Sequence, residues 1–365
     1  MTTALFSPLT VRDVTFRNRL WVSPMCQYSC EEQNGVPTDW HLVHLGSFAR
    51  GGAGLVVAEA SGVTPEGRIT PWCTGIWDAE QRDAWRRITD FIHGQGAKAG
   101  IQLAHAGRKG STYRDWSGVG SVAVNDGGWP TVAPSPIAFT GYAEPQELSA
   151  SEVEALPAAW AAAARLALDA GFDVLEVHAA HGYLLHQFLS PLSNERTDAW
   201  GGSLENRARL LLDVVRAVRA EAGEGVPVFV RLSATDWAEP EGWTIEDTVA
   251  VSAWAHEAGA DLVDVSSGGL VTGVRIPTGP SYQVPFAHAV RTGAHMPSGA
   301  VGQIVGAHQA EAIIAQGEAD AVFVGREFLR DPHLPLRMAH ELGETLDYWP
   351  HPYVRGRFSD RPDVD

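Results

Sequence analysis

"RLWVSPMCQYSC", residues 19–30, begins as an apolar β-like run and turns at Ser23 and Pro24 without a glycine. A doubly wound dinucleotide fold wants a Gly-x-Gly-x-x-Gly turn straight after its first strand, because only glycine lets the backbone approach a pyrophosphate so closely. That turn is missing, so the rest of the chain must say what the strand belongs to. Similar short runs recur as "GLVVAEAS" (54–61), "KAGIQLAH" (98–105), "DVLEVHA" (173–179), "VPVFVRLSA" (226–234), "DLVDVSSG" (261–268), "GAVGQIVG" (299–306) and "DAVFVGRE" (320–327). With "RLWVSPM" they make eight. Amphipathic stretches lie between them at 79–93, 151–170, 205–222, 246–258, 282–293, 308–317 and 331–342, several behind an Asp, Ser or Thr able to cap a helix. Eight strands with intervening helices close into an α/β fold of the (β/α)8 TIM-barrel type.

The 365 residues, 45% of them hydrophobic, can bury a full core. Length alone suggests two domains at roughly 100–200 residues each, but a barrel uses this length as one unit. No internal repeat, low-complexity tract or linker divides the chain, so residues 1–345 are expected to form one domain and 346–365 a proline-broken, aromatic tail. Residues 106–148, rich in Gly, Pro and Trp, follow the third strand and are too long for an ordinary connection. They are expected to lie over the catalytic face as an ordered lid.

A formal charge of −17, from 27 basic and 44 acidic residues, repels phosphate backbones and anionic lipid, which disfavours nucleic acid and membrane as partners. The Ala-rich run "LPAAWAAAARLALDAG" carries Arg165 and Asp169 and is too short to span a bilayer. Three cysteines are an odd count, and no secretory apolar segment follows "MTTALFSPLTVRDV", so a reducing, cytoplasmic setting is expected. Lys98 and Lys109 are the only lysines, which restricts Schiff-base chemistry to those two.

Barrel chemistry sits where strands end. The first strand delivers Ser23, Pro24, Met25, Cys26 and Tyr28; the second Ala60; the third Gln102 and His105; the fourth His178 and His181; the fifth Arg231. The sixth ends in Ser266, Ser267 and Gly268, the seventh in Gly302, and the eighth in Gly325 and Arg326. Gly302 and Gly325 let backbone N–H groups approach an oxyanion, with Arg326 supplying charge; the alternative is tight turns and a surface ion pair. Gln102 and Arg231 lie inside apolar strands, where a planar heterocycle with a pyrimidine edge satisfies both; the alternative for Arg231 is a salt bridge to Asp236 or Glu176.

In "EVHAAHGYLLHQFLSPLSN" (176–194), His178 and His181 are three apart and cannot share a face of one continuing strand. A turn through Ala179 and Ala180 can bring both rings over the barrel mouth. Zinc needs a third ligand, for which His105 is the nearest candidate, but no familiar spacing supports it and no metal is expected. Paired N–H donors gripping a substrate oxygen fit better, with Tyr183 as proton donor. The alternative is structural histidines, and His186 is assigned to that group. Cys26 and Tyr28, two apart, face one side if the chain stays extended there.

The segments "NRLWVSPMCQYS", "GLVVAEASGVTPEGRI", "IQLAHAGRK", "WPTVAPSPIAF", "VFVRLSATDW", "DLVDVSSGG" and "AVFVGREFLRDP", and above all "HAAHGYLLHQFLSPLSNERTDAWGGSLENR" (178–207), resemble the old yellow enzyme family of FMN ene-reductases, in its thermophilic-like class. The resemblance implies an FMN barrel reduced by NADPH or NADH that transfers hydride to activated alkenes, either α,β-unsaturated carbonyl or nitro compounds. Detoxification of nitro compounds and other electrophiles is the alternative. It implies that Ser23, Pro24, Met25 and Cys26 border the flavin, with Cys26 near its N5/C4 edge. Ala60, Gln102 and Arg231 would hold the pyrimidine side, and Gly302, Gly325 and Arg326 the phosphate. His178 and His181 would bind the activating oxygen, Tyr183 would protonate Cα, and Tyr28 would contact the ligand oxygen. Arg355 is similar to an arginine that enters the neighbouring subunit's site in a homodimer or homotetramer, with Arg357 as competitor. The lack of a cysteine-rich region sets the chain apart from larger iron–sulfur relatives.

Overall fold

A computed structural model describes residues 3–358. The eight expected runs form the strands β1 (Leu20–Val22), β2 (Leu55–Gly62), β3 (Lys98–Ala104), β4 (Val174–Ala179), β5 (Val228–Ser233), β6 (Leu262–Ser266), β7 (Ser298–Ala300) and β8 (Ala321–Val324). They pair in parallel in chain order, and β8 closes on β1 through Val322 opposite Leu20. Helices α1 (Asp39–Arg50), α2 (Ala79–Gly94), α3 (Ala150–Asp169), α4 (Leu184–Leu189), α5 (Leu204–Ala222), α6 (Ile245–Glu257), α7 (Val284–Gly293), α8 (Ala307–Ala315), α9 (Arg326–Arg330) and α10 (Leu334–Glu341) complete the chain. Among the described residues no helix is long and apolar enough to cross a membrane.

Helices α1, α4 and α9 and a hairpin ahead of β1 depart from the sequence reading; α4 and α9 are only six and five residues long. Helix α1 was not expected. Its capping box runs from Thr38 to His41, whose Nδ1 accepts the Thr38 N–H at 2.9 Å, so the usual Glu or Gln signal is missing. An antiparallel hairpin of Leu9–Val11 and Val14–Phe16 precedes β1 and packs Phe16 against Trp21, with ring centroids 4.6 Å apart. Trp21 in turn stacks on Phe229 at 5.8 Å and meets Phe323 edge-on at 5.3 Å.

These rings form an apolar floor to the barrel, together with Leu55, Val57, Val174 and Leu262. Because side chains alternate with period two along a strand, the next inward layer is read two residues further on. It contains Ser23, Gln102, Glu176, Arg231 and Asp264, all buried. Two residues higher stand His178, Ser233 and Ser266, also buried. The lumen therefore passes from aromatic to charged to hydrogen-bonding as it approaches the mouth.

The 106–148 segment is built from two short 3-10 turns and a two-residue ladder between Val132–Ala133 and Gln146–Glu147. Arg108 ties it down, donating to Ile137 O at 3.0 Å and to Leu270 O, beyond β6, at 2.9 Å.

Candidate active site

Strand β4 ends at Ala179, and the chain then turns through left-handed backbone at His181 (φ 57°) and Gly182 (φ 74°). A Cβ on Gly182 would lie 2.4 Å from Gly269 O, so this turn requires glycine. Ser233 secures it, accepting the His181 N–H at 2.9 Å and donating to Gly268 O at 2.9 Å. The turn releases His181 from the strand's two-residue period. The rings of His178 and His181 come to 5.3 Å, and Tyr183 stands 5.0 Å from His178.

Burial, reinforced by the Arg231 charge, holds both imidazoles well below their ordinary pKa. Both rings are therefore neutral at pH 7. The Ala180 N–H points at His178 Nδ1 at 3.4 Å, which leaves the ring proton on Nε2 as a donor. His181 Nε2 shares a hydrogen bond with Ser266 Oγ at 2.8 Å. Burial also raises the Tyr183 phenol well above its usual pKa, keeping it protonated.

Beside this pair opens a cavity of about 570 Å³ lined by Ser23, Pro24, Met25, Arg231, Ser266, Gly302, Gly325 and Arg326, among others. Gly302 has φ 119°, and a Cβ there would press on Gln283 and Tyr282 at 3.1–3.2 Å. A Cβ on Gly325 would meet the Met25 sulfur at 3.4 Å. The expected phosphate residues all line this cavity, and Arg326 is exposed.

Other expectations divide. Cys26, Tyr28 and Tyr183 pack together against Ala60, Ile69, Cys73, Ala104 and Ala106. Tyr28 reaches this position with left-handed backbone (φ 51°), not the extended run assumed from the sequence. Burial drives the Cys26 thiol pKa well up, so Cys26 is not a ready nucleophile. Gln102 Nε2 donates to Glu176 Oε1 at 2.7 Å. Arg231 pairs with neither Asp236 nor Glu176, the partners considered from sequence: its Nε stands 2.9 Å from Asp264 Oδ2. Asp236 instead meets buried His186 at 3.1 Å, which makes His186 structural. His105 is buried beside Trp160, its Nδ1 accepting the Gly107 N–H at 3.1 Å, and does not join the histidine pair. Arg355 lies in the exposed 3-10 turn His351–Gly356, whose neighbour Tyr353 packs under Arg50.

Four residues of the site were not assigned to it from sequence, although Lys109 and Glu176 were considered there in other roles. Lys109 donates to His181 O at 2.8 Å and Gly269 O at 2.9 Å, and its ammonium lies 5.1 Å from the Tyr183 ring centroid. Ser233, Glu176 and Asp264 are the others. Their only signal was strand parity: each stands two residues from a residue already suspected.

The cavity suits a flat, phosphorylated cofactor. Its size falls within the ~300–1,000 Å³ usual for small-molecule sites, Gly302 and Gly325 line it, and Ser23 Oγ on its wall has no hydrogen-bond partner among the described residues. Such an arrangement defines a class: barrel oxidoreductases that hold FMN across their strand ends. The chain belongs to the NADH:flavin oxidoreductase / NADH oxidase family, whose sequence profile matches residues 4–345. It is 45% identical over 357 residues to an NADPH dehydrogenase of Geobacillus thermodenitrificans, covering 98% of this chain and 99% of that protein. The old yellow enzyme homologue from Zymomonas mobilis superposes with a TM-score of 0.77 at 28% identity, covering 99% of both chains. A 2-naphthoyl-CoA reductase superposes at 0.85 with 27% identity over 93% of this chain, which spans only 52% of that longer protein. The protein is thus an old yellow enzyme family oxidoreductase that uses FMN with NAD(P)H as hydride donor.

Proposed function

We propose that the protein reduces the C=C bond of α,β-unsaturated carbonyl or nitro compounds, as a cytoplasmic ene-reductase of the thermophilic-like class. The observation that carries this reading is the neutral His178 and His181 pair, the first buried and the second half-buried, beside Tyr183 and next to the cavity. FMN, when bound, supplies the hydride; the protein orients and polarises. Ser23, Pro24, Met25 and Cys26 would hold its isoalloxazine, with Ala60, Gln102 and Arg231 toward the pyrimidine side. Gly302, Gly325 and Arg326 would hold the phosphate.

His178 Nε2–H and His181 grip the carbonyl or nitro oxygen, so charge developing there meets donors already in place. Their neutrality matters: a donor that keeps its proton lets the substrate bind without prior acid transfer. Tyr183 then gives its proton to Cα while Tyr28 shares the ligand oxygen. Lys109, above the Tyr183 ring, favours the resulting phenolate. Arg355 acts in a second copy's site, in a homodimer or homotetramer.

The test is an anaerobic titration. NADPH should bleach the flavin bands of the purified protein, and 2-cyclohexen-1-one should restore them. Bands that bleach but do not return with any activated enone or nitroalkene would defeat the ene-reductase assignment.

A further inference from the structure

We propose that Glu176, together with the Arg231–Asp264 pair, forms a proton-holding site in the middle layer of the barrel that sets how the potential of the bound flavin responds to pH. The inference rests on FMN occupying the cavity that Arg231 lines.

The argument begins with a charge count. The middle layer holds two carboxyl groups and one guanidinium: Glu176 and Asp264 are fully buried, and Arg231 is 6% exposed. Below it is the aromatic floor of Trp21, Phe229 and Phe323, which offers no polar group to share the charge. Two carboxylates beside one arginine leave a net negative charge in a buried layer, a cost that a single proton removes. Asp264 stands 2.9 Å from the guanidinium, whereas the hydrogen-bond partner of Glu176 is only the Gln102 amide. The proton therefore resides on Glu176. Its Oε2 has no hydrogen-bond partner among the described residues; the Asp264 oxygens make none either, but they have the guanidinium charge beside them.

The pKa directions agree with this placement. Burial and then the Asp264 charge push Glu176 up to about 8. Burial also raises Asp264, to about 6, with Arg231 opposing the shift there as it does at Glu176. The other titratable groups facing the layer are His178 and His181, both neutral, and Lys109, which burial lowers to about 8.

With Glu176 protonated, the trio is neutral. With it ionised, the trio carries one negative charge beneath the cavity. Hydride leaving NAD(P)H carries two electrons and one proton, yields NAD(P)+, and adds one negative charge to the flavin. That charge raises the proton affinity of Glu176. Where Glu176 is already protonated, nothing further moves. Above its pKa, reduction draws one proton from solvent onto the Glu176 carboxylate, and no bond to the cofactor forms. The flavin potential should therefore fall more steeply with pH above about 8 than below it.

The experiment is a dye-mediated potentiometric titration of the holoenzyme between roughly pH 6 and pH 10, comparing the wild type with Glu176→Gln. The wild-type profile should steepen by one proton per two electrons above the break. Glu176→Gln should show one slope throughout, continuing the wild type's low-pH limb. A break that persists in Glu176→Gln would assign it to another group, Lys109 foremost, and overturn the proposal. So would a variant that binds FMN more weakly or melts earlier yet keeps the wild-type break, since that marks a merely structural residue. If the variant does not fold, reduced-minus-oxidised infrared difference spectra of the wild type at high pH decide: a protonated-carboxyl band must appear on reduction, and its absence refutes the site. A wild-type protein that binds no FMN would instead defeat the cofactor reading, a separate result.

Discussion

At the scale of single residues, the site works by controlling which groups carry protons. His178 is the sharpest case, because its backbone partner selects the tautomer and its burial removes the charge. His178→Ala should leave FMN bound, weaken binding of a para-substituted phenol, and lower kcat by about 10²–10³, the usual cost of one oxyanion donor (~2.7–4 kcal/mol). Spectral titration with the phenol and steady-state kinetics check both parts. Lys109 gives a pH signature. Its ammonium, lowered to about 8 by burial, is present below that pH and lost above it, and with it goes the positive charge that strengthens the bonds to His181 O and Gly269 O and faces the Tyr183 ring. Turnover should fall as pH rises through about 8, and Lys109→Met should be slow but flat across the same window. An unchanged alkaline limb in the variant would exclude Lys109 as its cause.

At the scale of elements, the strand-to-turn junction after β4 decides whether the histidines meet. Gly182 is needed twice, for its positive φ and for its approach to Gly269 O. Gly182→Ala should destabilise the fold by about 1–3 kcal/mol, the range for one strained backbone position, and should lower kcat more than it weakens FMN binding. Urea unfolding and flavin fluorescence separate the two effects. The strands and seven of the helices were legible in the chain because hydrophobic period and capping residues are local signals. Helix α1 was not, because His41 closes its capping box. The hairpin before β1 was not, because its two strands have three residues each, too few for a pattern.

At the scale of the whole molecule, the barrel is closed from below by aromatic rings and carries its charged and hydrogen-bonding groups above them. Trp21 is fully buried among Phe16, Phe229 and Phe323. Trp21→Ala should cost about 3–5 kcal/mol, as for other large core truncations. Added FMN should recover part of it, about 2.7 kcal/mol at 100 times Kd. Denaturation midpoints with and without FMN measure both; an equal loss in each state would mean that the floor does not support the cavity.

The chain alone determined the order of strands and helices, the closed barrel they imply, and which residue types end each strand. Those features follow from local periodicity and from the short, right-handed connections that parallel strands require. Tertiary structure alone decided who meets whom in the lumen. It chose Asp264 over Asp236 and Glu176 for Arg231, carried Lys109 across from the lid to His181, and left Arg355 outside its own chain's mouth. The physical reason is that lumen partners lie on different strands and converge only when register, tilt and the period-two alternation act together. No local stretch of sequence encodes that convergence.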